Sequence, residues 1–147
     1  MAVRKVLVAV DGSPNSLKAV DVAASICEKY GAELVVLHVI QQPAYIFGAP
    51  AVSPSVLKDY YDTARREGER FVSEAVSKAE RYRVSVRAEI LERAPSVVEA
   101  ITQYAENNSV ELIVVGTRGL TGFKKLLMGS VASGVVSHAH CSVLVVR

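Results

Sequence analysis

Five short apolar runs alternate with longer amphipathic segments along the chain, and this alternation constrains the fold more than any other feature. The runs KVLVAV, AELVVLHVI and ELIVVG are rich in β-branched residues, which is typical of strands buried on both faces. The final run, CSVLVVR, predicts a strand that is either interior or an edge that pairs with its copy across a twofold axis. VSVRAEIL alternates polar and apolar residues and predicts an edge strand with one exposed face. The order β-α-β-α-β-α-β-α-β predicts an open, Rossmann-like parallel sheet with helices on both faces, because crossover connections are almost always right-handed.

Capping residues and helical spacing place the intervening helices. Ser13 is a candidate N-cap with Pro14 at the first helical position, and Gly31 supplies a stop signal. A second helix is predicted over about 54–82, and Pro95 is expected to open a third. The segment between the second strand and second helix contains three prolines, so it is predicted to be a long loop. The last helix is expected to turn one face inward, with Leu127, Val131, Val135 and His138 on it.

Length and composition limit the function classes. With 147 residues, half of them apolar and 22% charged, the chain is expected to form one domain over residues 1–147. Its net charge of +2 comes from interspersed acids and bases, which favours neither a nucleic-acid nor a membrane partner. No signal-peptide pattern is visible at the amino terminus, so a cytoplasmic location is expected. Cys27 and Cys141 lie in apolar patterns and are predicted to be buried free thiols.

The segment GTRGLTGFKKLLMGS, residues 116–130, contains four glycines and follows a predicted buried strand directly. Glycine allows close backbone approach and positive φ at Gly116 and Gly119, so that successive N–H groups can converge on an anion. Gly129 and Ser130 stand at a predicted helix start, where free N–H groups favour phosphate oxygens. The spacing Gly-x2-Gly-x9-Gly-Ser matches neither the Walker nor the Rossmann glycine pattern. In this context it indicates a phosphate site.

Ligands of open parallel sheets bind beyond the carboxyl ends of the strands, where strand order reverses. Two strand ends, residues 8–11 and 115–119, have a composition suited to a ligand. If their strands are neighbours, Asp11 faces the glycine segment across one crevice. A carboxylate repels a triphosphate, so Asp11 is expected to meet the ribose, the base edge or a bridging metal ion. The alternatives are that Asp11 only closes an Asp-Gly turn and that the glycines form a turn without a ligand.

Three stretches resemble one known family. VAVDGSPNSLKAVDVA, LHVI and GTRGLTGFKKLLMGSVASGVVSHAHCSVLVVR are similar to the nucleotide-binding subgroup of universal stress proteins. The resemblance covers almost the whole chain. It implies a five-stranded sheet in the order 3-2-1-4-5, ATP at the switch point, and a homodimer. That dimer would pair through the C-terminal strand, with Val143, Leu144, Val145 and Val146. Mg²⁺ or Mn²⁺ with the phosphates is expected from the charge argument for Asp11, which makes Asp11 the candidate metal ligand.

The resemblance also implies site residues. The glycines and serine of the motif would hold triphosphate and ribose, Arg118 would lie over the phosphates, and Asp11 would lie by the nucleotide. Val39 would contact adenine, and Ala9 and Val10 would line the base pocket through their backbones. The complete candidate set is Ala9, Val10, Asp11, Val39, Val115, Gly116, Arg118, Gly119, Gly129, Ser130 and Val131.

Other residues receive structural interpretations. Lys124 and Lys125 are expected on a solvated face, and His38 as a packed, hydrogen-bonded histidine. The chain departs from the family at Arg93-Ala94-Pro95, where Gly-Asp-Pro is common, and at Ser142, where proline is usual. No general base is evident beside a γ-phosphate, so a regulatory ATP-binding protein acting on an unknown protein partner is favoured over an enzyme. The alternatives are a weak metal-dependent ATPase and a nucleotide-free interaction module.

Overall fold

A computed structural model describes residues 2–43, 53–117 and 128–147. The strands are β1 (Lys5–Ala9), β2 (Glu33–Gln41), β3 (Ser85–Ala94), β4 (Leu112–Gly116) and β5 (Ser142–Val146). The helices are α1 (Pro14–Tyr30), α2 (Pro54–Ala79), α3 (Val97–Asn107) and α4 (Ser130–His138). All strand pairs are parallel, and the sheet order is β3-β2-β1-β4-β5. This confirms the predicted sheet and its strand order.

Helices cover both faces of the sheet. On one face Val6 and Val8 of β1 pack in a cluster with α1 and α2. On the other face Leu7 packs with α3, α4 and the neighbouring strands. Consecutive residues of β1 are therefore fully buried in two different clusters, which explains why the run is apolar at every position rather than alternating. Full burial of a side chain such as Leu7 contributes about 2 kcal/mol to folding.

The predicted helix boundaries hold for α1 and are corrected for α2 and α3. Ser13 caps α1 by accepting a hydrogen bond from the backbone N–H of Ser16 at 3.2 Å, and Gly31 ends it in the left-handed conformation at φ 68°. Helix α2 begins at Pro54 but ends at Ala79. Pro95 does not open α3, because the extended Ser96 is the N-cap and accepts from the Glu99 N–H at 3.2 Å.

The inward face of α4 differs from the predicted one. Ala132 and Val135 are buried, whereas Val131 is 38% exposed and His138 is exposed. The cause is the packing against α3, where a Cβ atom on Gly134 would lie 2.6 Å from Val98 Cγ2. The helix therefore presents its glycine side to α3 and leaves Val131 at the surface. Leu127, the remaining residue of the predicted face, lies outside the described residues.

Two further predictions concern the sheet edge and the cysteines. β3 pairs with β2 and lies at one end of the sheet order, as its alternating sequence predicts. Cys27 is a buried free thiol, and burial raises its pKa to about 12, so the thiol stays protonated. Cys141 is also free but only partly buried.

None of the helices in the described ranges is long and apolar enough to cross a membrane.

Candidate functional site

The turn after β1 places a carboxylate at the carboxyl end of the sheet. Val10 continues the pairing beyond the strand by donating its N–H to the Leu37 carbonyl at 2.9 Å. Asp11 follows, and its Oδ1 accepts the Ser13 N–H at 2.9 Å. Gly12 lies between them at φ 83°, a left-handed conformation that favours glycine. The Asp-Gly turn weighed from the sequence is therefore present, and it fixes the position of the half-buried Asp11.

Gly116 ends β4, the strand next to β1, and its role differs from the expected one. Its φ is not positive; among the described glycines only Gly12 and Gly31 adopt that region. Gly116 remains in the ladder, opposite Val146 of β5. A Cβ atom here would lie 2.9 Å from the backbone carbon and oxygen of Asn15 in the first turn of α1. Glycine at this position thus permits close approach of a helix rather than a left-handed turn.

The first turn of α1 joins the two strand ends. Asn15 contacts Gly116, while the neighbouring Ser16 hydroxyl lies 3.5 Å from the Asp11 amide nitrogen. Asp11 and Gly116 therefore flank the same helix start, as expected for neighbouring central strands. These residues lie where the strand order reverses, between β1 and β4, which is the place at which the sequence predicts a ligand crevice.

The start of α4 is hydrogen-bonded to the chain just beyond β4. The Gly129 N–H donates to the Thr117 carbonyl, and the Thr117 N–H donates to the Val146 carbonyl at 2.8 Å. These bonds connect Gly129 and Thr117 to each other and to β5. Gly129 is the N-cap of α4 and provides no side-chain hydrogen bond, whereas serines cap α1, α2 and α3. The N–H groups of the first turn, which begins with the exposed Ser130 and Val131, therefore have no side-chain cap.

An apolar surface adjoins these polar groups. Ala9, Val39, Val115 and Met128 belong to or pack against one hydrophobic cluster on the face covered by α3 and α4. Ala9 and Val39 lie at or near the carboxyl ends of neighbouring strands, and β4, which carries Val115, adjoins β1 on the other side. We call Ala9, Val39 and Val115 the apolar patch; Ala9 and Val39 are partly exposed, and Val115 is almost fully buried. The described candidate residues lie at, near or beyond the carboxyl ends of β1, β2 and β4, or at the start of α4. Arg118 and Gly119 lie outside the described residues, as do Lys124 and Lys125.

Comparison with known proteins shows the family of the chain. The profile of the universal stress protein family matches residues 2–147. The chain belongs to the universal stress protein family. It is 34% identical to universal stress protein MJ0531 of Methanocaldococcus jannaschii over 144 residues, covering 98% of this chain and 82% of the relative.

Solved structures of universal stress proteins share the fold over their whole length. UspA of Lactobacillus plantarum has a TM-score of 0.86 and 26% identity, with 100% of this chain and 99% of that one covered. A universal stress protein crystallised in complex with cAMP has a TM-score of 0.74 and 28% identity, with the same coverage.

One departure from the universal stress protein pattern has a structural consequence. Arg93, where a glycine is common in the family, adopts φ 58°. A left-handed conformation costs a side-chain-bearing residue about 1–2 kcal/mol relative to glycine. The guanidinium stacks on the ring of the buried Tyr61, 4.2 Å from its centroid, and this cation–π contact offsets part of the cost.

Some features of the site were not predicted from the sequence. Phe71 of α2 contacts Gly12, since a Cβ atom there would lie 2.4 Å from Phe71 Cε1. Asn15 and the buried Thr117 also belong to the crevice. The helical spacing of α2 could have indicated an inward Phe71, but no sequence signal shows that it meets the β1 turn. His38 is packed and hydrogen-bonded, as predicted.

A second concavity lies away from the crevice. A groove of about 390 Å³ runs between α3 and the edge strand β3, with Leu91, Glu99, Ala100, Gln103 and Tyr104 among its lining residues. It contains none of the candidate residues. In the described ranges no group of three His, Cys, Asp or Glu side chains could hold a metal ion.

Proposed function

We propose that this universal stress protein binds an adenine nucleotide, ATP in particular, in the crevice between the β1 turn and the start of α4. The observation that carries the proposal is the glycine-capped start of α4, which has no capping side chain and is hydrogen-bonded to Thr117 just beyond β4, the neighbour of β1. Free N–H groups at a helix start and the helix dipole favour phosphate oxygens. The universal stress protein solved with cAMP binds a nucleotide of the same class.

The two sides of the crevice differ in chemistry, and in this proposal each side binds a different part of the nucleotide. The apolar patch of Ala9, Val39 and Val115 suits the base. Gly129, Ser130 and Val131 would bind phosphates through backbone N–H groups and the Ser130 hydroxyl, and Gly116, Gly119 and Arg118 complete this group in the proposal. Base recognition by the backbone of Val10 and the neighbouring strand ends is part of the same assignment.

Asp11 is the proposed ligand for Mg²⁺ or Mn²⁺. Its Oδ1 already accepts the Ser13 N–H, and Oδ2 provides a second oxygen. Mg²⁺ is commonly held by one or two carboxylates with substrate phosphates and water, so the single carboxylate of the β1 turn fits a metal that arrives with the nucleotide. The ion would supply charge neutralisation between Asp11 and the triphosphate.

A nucleotide titration monitored by thermal unfolding tests the proposal. ATP at about 100 times its dissociation constant should add about 2.7 kcal/mol of stability, with a smaller effect from GTP. Addition of Mg²⁺ should strengthen the ATP effect, and Asp11→Asn, which retains an oxygen for the Ser13 N–H, should remove that metal dependence. No shift with ATP, ADP or AMP would refute nucleotide binding and favour a nucleotide-free interaction module. Metal-dependent turnover that Asp11→Asn abolishes would instead favour a weak ATPase.

We also propose a homodimer through the free edge of β5, with the nucleotide state modulating an unknown protein partner. β5 ends the sheet order and contains the partly exposed residues Val143, Leu144, Val145 and Val146. Val136 of the adjacent α4 is 46% exposed. A bare apolar edge strand promotes aggregation, so pairing with a second copy is the stable arrangement.

A proline substitution tests this dimer selectively. The Val146 carbonyl accepts a hydrogen bond from the Thr117 N–H on the β4 side of β5. Successive residues of a strand direct their backbone N–H and C=O groups to opposite edges, so those of Val145 point to the free edge. Val145→Pro removes one outward N–H while preserving the β4–β5 ladder. Sedimentation velocity should show a dimer for the wild type and a monomer for Val145→Pro. A monomeric wild type, or a variant dimer of unchanged affinity, would contradict the edge-pairing arrangement.

A further inference from the structure

His38 connects helix α2 to the β1 turn from the face of the sheet opposite the apolar patch. Its Nδ1 lies 2.8 Å from the Val10 carbonyl oxygen, so Nδ1 donates this hydrogen bond. The same residue, Val10, donates its N–H to Leu37. Both backbone groups of the residue before Asp11 are thus held by β2, although β1 itself ends at Ala9.

Helix α2 fixes the position of the imidazole ring. Gly68 allows the helix to approach closely, because a Cβ atom there would lie 2.7 Å from His38 Cδ2. The Phe71 ring stands edge-on to the imidazole, with centroids 5.5 Å apart and an interplanar angle of 75°. The Arg70 guanidinium lies 5.1 Å from the centroid of the Phe71 ring. One aromatic ring therefore contacts both His38 and Gly12.

We propose that His38 is a positioning residue for the nucleotide site, which orients the turn Val10-Asp11-Gly12 through its hydrogen bond to the Val10 carbonyl. Gly68 and Phe71 hold the imidazole in the orientation that this bond requires. The inference rests on the proposed nucleotide function. It adds that the geometry of the Asp11 side of the crevice depends on a side chain and a helix that do not line it. Without the bond, the Val10–Asp11 peptide is held only by the Val10 N–H and the contacts of Asp11 with Ser13 and Ser16. Its orientation is then less restricted, and ordering it on binding weakens affinity.

Two substitutions separate the hydrogen bond from the packing. His38→Phe retains a ring against Phe71 and Gly68 but removes the Nδ1 donor. His38→Asn retains an N–H donor at the same distance from Cβ and removes the ring. Affinity for Mg²⁺-free AMP, measured by isothermal titration calorimetry beside thermal unfolding of the unliganded proteins, is the readout.

We expect His38→Phe to weaken AMP binding about tenfold, as for the loss of one hydrogen bond of about 1.4 kcal/mol. His38→Asn should bind within about threefold of wild type even where its unfolding temperature is lower. Wild-type AMP affinity in His38→Phe would overturn the proposal. It would also be overturned if both variants lost affinity in proportion to their loss of stability, because the hydrogen bond would then have no separate effect. If His38→Phe does not fold, Phe71→Leu should weaken AMP binding, and unchanged affinity there would contradict the proposal.

A measurement without ligand separates this inference from the proposed function. In ¹⁵N-labelled protein, His38→Phe should shift the Asp11 and Gly12 amide resonances and speed their hydrogen exchange, while His38→Asn restores the protection. This result supports positioning of the turn even if the wild type binds no nucleotide. Unchanged exchange at Asp11 and Gly12 would refute the positioning role while leaving nucleotide binding intact.

Discussion

Gly129→Val is expected to abolish the stabilisation by ATP, a loss of about 2.7 kcal/mol at a ligand concentration 100 times the wild-type dissociation constant. Gly129 has φ −73° and ψ 169°, values that valine adopts readily, so the variant backbone is not strained. The added branched side chain would stand at the N-cap and block approach to the N–H groups of the first turn of α4. Thermal unfolding with and without ATP measures the effect.

A matched substitution one turn further along α4 provides the control for Gly129→Val. Ser133→Val adds the same kind of side chain at an exposed position of the same helix. It should leave the ATP-induced shift unchanged, and both variants should unfold within about 1 kcal/mol of wild type without ligand. A full ATP shift in Gly129→Val would mean that the phosphates do not bind at the start of α4.

Gly12→Ala is expected to destabilise the unliganded protein by about 2–4 kcal/mol. Two effects combine, since φ is 83° and the added methyl would lie 2.4 Å from Phe71 Cε1. The ring is held between Gly12 and His38, so it cannot move away without loss of packing. Urea denaturation gives the change in unfolding free energy.

Gly31→Ala isolates the backbone contribution to the Gly12→Ala effect. Gly31 has φ 68° and no atom within 4 Å of the position of a Cβ, so this variant should lose only about 1–2 kcal/mol. Combining Gly12→Ala with Phe71→Leu should recover part of the additional loss. Equal destabilisation by Gly12→Ala and Gly31→Ala would show that Phe71 does not restrict the turn.

The strands of the sheet could be predicted because the composition of a short run of residues indicates whether a strand is buried on both faces. Runs such as KVLVAV indicate strands covered on both faces, and serine and glycine signals mark the ends of α1. The strand order came from the family resemblance, because alternation alone allows several orders. The edge position of β3 was also predictable, because its alternating polar and apolar residues indicate a strand with one exposed face.

The errors arise where tertiary contacts decide between local alternatives. Val131 has the helical spacing of a core residue, but the close approach of Gly134 to Val98 turns α4 and exposes it. The glycine at position 116 predicted a positive φ, but in the structure it allows a close contact with Asn15. Phe71 contacts a turn that lies 59 positions earlier in the sequence, and no local pattern encodes such a pair.

The location of the bound nucleotide tests the central claim most directly. Titration of ¹⁵N-labelled wild-type protein with AMP, followed amide by amide, maps the site without a variant. We predict the largest resonance changes at Asp11, Gly12, Val39, Gly116 and the first turn of α4. Largest changes along the groove between α3 and β3, or no changes at a hundredfold excess of AMP, would contradict the account.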